Sequence, residues 1–141
     1  MTMHDSIFSI SEAIRYVAVY RDGRLAMQSR AGTVGASDEE TDRYEELLVN
    51  PTLLKLASQR GNIDCGGLGY LIIRYGNFFQ FVLPMTWGHV SVCFEPSADP
   101  VALGKQVASA VQSAEVQPGT SVTVKSQGKG NRLWLSFLAT P

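Results

Sequence analysis

Hydrophobic and polar positions are most regularly patterned between Leu68 and Glu95. Residues 68–75 are dominated by β-formers, and alternation places Leu71, Ile73 and Tyr75 on one face of a strand and Tyr70, Ile72 and Arg74 on the other. Gly76-Asn77 is a tight-hairpin pair, so residues 78–83 return as a second strand that Pro84 is expected to end. Residues 85–88 make a short connection, and in residues 89–95 Val90, Val92 and Phe94 alternate with Ser91, Cys93 and Glu95. Such strands, apolar on nearly both faces, predict a meander covered on both sides.

Upstream, residues 16–20 and 25–29 are rich in β-branched and aromatic side chains, and Asp22-Gly23 between them supplies a turn. Ile7, Ile10 and Ile14 recur at helical spacing, which predicts a short N-terminal helix with Ser6 or Ser9 near its start. Ser37 and Glu40 read as a capping box opening a helix whose apolar face carries Tyr44, Leu47 and Leu48. Asn50-Pro51 interrupts that pattern as a fresh N-cap and first helical position, followed by Leu53, Leu54 and Ala57 and stopped by Gly61. The expectation is one kinked helix or two consecutive ones. Asp99-Pro100 opens a last helix with a stripe of Leu103, Val107, Ala110, Val111 and Ala114. Beyond Pro118-Gly119, alternation at Val122, Val124, Leu133, Leu135 and Phe137 suits either a terminal hairpin or a mobile tail. This gives a domain over residues 1–118 and an extension over 119–141.

Composition narrows the function classes. A chain of 141 residues with 45% hydrophobic and 18% charged residues fits one globular domain of α+β type. A formal net charge of -1 offers no excess of cations for phosphate, which argues against nucleic acid. Two cysteines, Cys65 and Cys93, are too few for a disulfide scaffold, and both are expected to be free and buried. The N-terminus lacks a secretory pattern and no apolar run is long enough to span a membrane, so a cytoplasmic location is expected.

Sites of chemistry are scarce. Gly128-Lys129 fails as a P-loop, and Gly66-Gly67-Leu68-Gly69 precedes a strand where a dinucleotide fingerprint must follow one. His89 and Cys93 share a strand face but lie about 13 Å apart along it, so His89 reads as a packed or solvent-edge residue. Six acids and one base, Arg43, fall within residues 38–46, a composition usual for a solvated helix face. Docking against Arg15, Arg21, Arg24 and Arg30 in a self-associated pair is the functional reading of that charge. Trp87 and Trp134 are candidate contact residues, with packing as the plainer role. No catalytic residue, cofactor or metal site is assigned, and the protein is read as a non-enzyme.

The order of short helix, two-stranded hairpin, helix, three-stranded meander and helix resembles the Roadblock/LC7 family. Residues 15–23, a strand ending in Asp22-Gly23, and the meander followed by Asp99-Pro100 carry the resemblance, over about residues 6–114. It implies a profilin-like fold, a five-stranded antiparallel sheet sandwiched by helices. It further implies a non-catalytic homodimeric adaptor without cofactor, with a small GTPase among the partners such proteins regulate. The implied dimer or partner surface comprises Tyr44, Leu48 and Leu54 on the helix and Tyr70, Ile72 and Arg74 on the strand, where an apolar edge invites another strand. The alternative is a sensory domain of PAS or GAF type that binds a small molecule against the sheet.

Overall fold

The computed structural model describes residues 1–32 and 38–115. The expected extension over 119–141, Trp134, and Ser37 of the expected capping box lie outside them. The hairpin of β1 (Ile14–Arg21) and β2 (Arg24–Ser29) turns on Asp22 and Gly23, both at positive φ (51° and 84°), a geometry that glycine adopts without strain. The meander consists of β3 (Leu71–Arg74), β4 (Phe79–Met85) and β5 (Gly88–Phe94). Joined through β1 and β5, the strands form a five-stranded antiparallel sheet in the order β2-β1-β5-β4-β3.

Register assigns each side chain to a face. Ile72, Phe81, Val92 and Val17 align across four strands on one face, where Val19, Val90 and Phe94 join them. Two helices close this apolar core, α1 (Met3–Phe8) with Ile7 and α4 (Pro100–Glu115) with Val107 and Val111. The opposite face aligns Tyr16, Cys93 and Gln80, then Ala18, Ser91 and Val82. Gln80, Ser91 and His89 are buried there among Tyr16, Ala18, Cys93 and Val82, so the second face is covered and mixes polar with apolar side chains. Coverage of both faces was legible in the alternation; the polarity under one cover was not.

Several expected boundaries move. Thr2, rather than Ser6 or Ser9, caps α1: its hydroxyl accepts from the Asp5 amide at 3.0 Å while the Asp5 carboxylate accepts from the Thr2 amide at 3.2 Å. Asp38 is the N-cap of α2 (Glu39–Tyr44), accepting from the Thr41 amide at 2.9 Å. Pro84 lies within β4; beyond Val82 that strand has no described partner on its β3 side, a free flank where proline is tolerated. Asp99 opens α4 as expected, accepting from the amides of Val101 and Ala102 at 3.2 Å.

Asn50-Pro51 does not break the helix. Helical backbone runs from α2 through a π turn, Glu45–Val49, into α3 (Asn50–Asp64), and Asn50 itself is helical at φ -63° and ψ -45°. A helical proline lacks an amide and clashes with the carbonyl four residues earlier. Widening the preceding turn, so that the Asn50 amide bonds to the Glu45 carbonyl, absorbs that conflict without ending the helix. Gly61 also lies inside α3; its carbonyl accepts from the amides of Cys65 and Gly67 at 3.0 Å each.

Candidate protein-interaction surface

The long helix meets the sheet through carboxylates. Glu46, in the π turn, is fully buried, and three donors converge on it. The Tyr16 phenol donates to Oε2 at 2.9 Å, the His89 Nε2–H to Oε1 at 2.8 Å, and the Asn50 amide to Oε1 at 3.0 Å. The network continues over the sheet: Gln80 Nε2 donates to the Ser91 hydroxyl, and the Cys93 thiol donates to Gln80 Oε1 at 3.3 Å. Asn50 Oδ1 is the one buried side-chain acceptor among the described residues left without a partner. Beside this network, the Tyr75 phenol donates to Glu45 Oε2 at 3.0 Å.

Burial, and then the nearby Glu46 carboxylate, raise the Tyr16 phenol far above its usual range. The same two causes, in that order, raise the Cys93 thiol, so it stays protonated at neutrality. Burial with the Glu45 charge pushes Tyr75 up to about 12. Glu45 is raised by burial against the opposing hydrogen bond from Tyr75. The acidic run is therefore only partly a solvated face, contrary to its composition. Its last two members are anchors, because the helix turns them toward a polar sheet.

Outward lies the reverse of the usual arrangement. Tyr44, Leu47 and Leu48 are 59%, 46% and 52% exposed, and Leu56 and Ile63 extend the apolar surface down α3. Of the three helix residues expected at the surface, Tyr44 and Leu48 are exposed, whereas Leu54 is buried in the core. Leu47, Leu56 and Ile63 were absent from the expected surface because helical spacing alone does not say which apolar face is spare.

On the strand side, β3 pairs with β4 alone among the described residues. Tyr70 is exposed and its ring packs 5.4 Å from that of Phe81. Ile72 points into the apolar core, so it offers the edge its backbone more than its side chain. Arg74 lies exposed over the Phe79 ring at 5.0 Å and donates to the carbonyls of Tyr75 and Gly76. The segments flanking β3 meet the long helix. Tyr75 bonds Glu45 at one end, and at the other Gly61 packs so closely on Gly67 that a Cβ would lie 3.0 Å from the Gly67 carbonyl carbon.

The arginines expected to complement the acidic run are largely committed elsewhere. Arg15 is buried and bonds the Asn77 carbonyl and Glu95 at 3.2 and 3.3 Å. Arg30 bonds the carbonyls of Ile14, Phe8 and Ser11 at 2.7–3.0 Å. Arg21 bonds Glu115 at 2.7 Å and stacks 3.8 Å from the Trp87 ring, whose indole also donates to Glu115. Trp87 thus packs. His89 is packed as well, with its Nε2 bonded to Glu46. Cys93 is free and buried as expected, whereas Cys65 is free but exposed. Among the described residues no three His, Cys, Asp or Glu side chains are placed to share a metal ion, and no helix is long and apolar enough to cross a membrane.

A five-stranded antiparallel sheet with two helices on one face and one long helix on the other is the Roadblock/LC7 fold. A Roadblock/LC7 domain from Streptomyces avermitilis superposes with a TM-score of 0.59 at 16% identity, over 79% of this chain and 90% of that one. A structure described as MglB with tetrameric arrangement superposes with a TM-score of 0.60 at 11% identity, over 79% and 82%. No protein-family profile matches the chain, and no curated protein sequence matches it significantly.

Proposed function

We propose that the protein is a non-catalytic interaction module that pairs with a second copy of itself through the β3 edge and the outward face of the long helix. One observation carries this reading: an apolar row faces away from its own core beside a strand edge with no described partner. Exposed apolar surface of this kind marks an association site, and an open edge takes up another strand. A two-fold pair brings like surfaces together, the usual symmetry of a homodimer. The similar structure described as a tetrameric arrangement supports self-association by analogy. In keeping with the Roadblock/LC7 resemblance, the paired module acts as an adaptor in the cytoplasm and regulates a small GTPase. The sensor alternative is disfavoured because Glu46 hydrogen-bonds directly to Tyr16 and His89 of the sheet where a ligand would have to lie.

A cysteine scan tests the pairing. In a Cys65→Ser background, single cysteines are placed along residues 70–75 and, as a control, at Arg24 on the opposite edge. Oxidation should trap covalent dimers from one or two β3 positions only. No trapping from β3, or equal trapping from β2, would contradict the model of edge pairing. Titrating the dimer into a nucleotide-loaded small GTPase from the same organism, and reading nucleotide exchange and hydrolysis, tests the finer assignment; unchanged rates and no binding would remove it.

A further inference from the structure

The π turn holds five consecutive residues, Glu45–Val49, of opposite chemistry on opposite sides. Glu46 is fully buried, yet Leu47 and Leu48 beside it are half-exposed. Hydrophobicity alone would roll the helix the other way, leucines toward the sheet and glutamates toward water. Two features oppose that roll. The sheet beneath presents Tyr16 and His89, whose polar groups leucine could not satisfy. The wider turn also brings successive side chains closer in direction than the roughly 100° of an α-helix. Glu45 and Glu46 can therefore both reach the sheet, one at Tyr75 and the other at Tyr16 and His89.

We propose that Glu46, gripped by Tyr16, His89 and Asn50, is a specificity-determining positioning residue that fixes the roll of the long helix and so turns Tyr44, Leu47 and Leu48 outward as the association surface. Buried polar contacts are directional where apolar contacts are not, and setting register is their best attested use. That the outward row is an association surface rests on the function proposed above; the control of roll does not.

Thiol labelling reads the roll directly. Leu48→Cys in a Cys65→Ser background is labelled with iodoacetamide over a dilution series, and the rate is extrapolated to the monomer. Cys93, buried and protonated, contributes little background. With Glu46 present, position 48 should label rapidly. Glu46→Ala should slow it at least ten-fold while unfolding stays cooperative, and Glu46→Gln, which keeps an acceptor for Tyr16, should restore most of the rate. An unchanged rate in folded Glu46→Ala overturns the proposal. If that variant does not fold, Tyr16→Phe removes a single hydrogen bond; slowing of at least two-fold supports the proposal and an unchanged rate overturns it. Sedimentation of the same variants on the Leu48 background should show association weakened ten-fold or more by Glu46→Ala and retained by Glu46→Gln. If the unmodified chain is monomeric throughout, the association reading fails while the labelling rates still decide the roll.

Discussion

Tyr16, His89 and Asn50 come from two strands and a helix and meet on one carboxylate, whereas Tyr75 and Glu45 form a separate pair at the end of β3. None of these partnerships could be read from sequence spacing, because 43 residues separate Glu46 from His89 and 30 separate it from Tyr16. Sequence left His89 as a packed or solvent-edge residue; its burial and its partner depended on which way the helix turned. The Tyr75 pair has a consequence for alkaline stability. Its folded-state value, about 12, lies above the ordinary 10, so its stabilising contribution is complete below pH 10 and is lost as pH rises through about 12. Tyr16, raised for the same reasons, acts in the same direction. Tyr75→Phe should therefore flatten part of the fall in stability above pH 10, measured by urea unfolding at a series of pH values. A fall as steep as that of the unmodified protein would show that the phenol does not titrate as its surroundings dictate.

Elements were legible to different degrees. The strands and the first hairpin follow from two-residue alternation and Asp22-Gly23, since pleated geometry needs only local information. The long helix was harder, because Pro51 carries two opposite local meanings: first position of a new helix, or cause of a distortion in a continuing one. Tertiary anchoring decided between them, as Asn50 spends its side chain on Glu46 rather than on capping an amide. Gly61 was likewise read as a stop, yet it serves close approach within the helix. Alanine has the better helix propensity by about 1 kcal/mol, but its Cβ at Gly61 would meet the backbone of Gly67 and Leu68. Overpacking of this kind costs about 1–3 kcal/mol. Gly61→Ala should thus destabilise the protein in thermal unfolding, and a stabilised variant would show that the loop before β3 yields freely.

At the scale of the molecule, one sheet has two unlike covers. The face under α1 and α4 is an apolar core that accounts for folding by ordinary burial. Under the long helix the sheet buries polar groups beside Ala18 and Cys93, and the helix turns Tyr44, Leu47, Leu48, Leu56 and Ile63 outward while Leu54 is buried. Sequence composition registers only the sum, a net charge of -1 and an ordinary hydrophobic fraction, so the inversion stays hidden until the helix is placed on its sheet. On the proposed function, the outward apolar row and the β3 edge receive a second copy of the chain. Sedimentation equilibrium of the unmodified protein beside Leu48→Glu and Tyr44→Lys measures this most directly. The unmodified protein should be dimeric at micromolar concentration, and each variant should be monomeric yet still unfold cooperatively, since both side chains lie outside the core. A monomeric unmodified protein, or a dimer indifferent to both substitutions, would contradict the account.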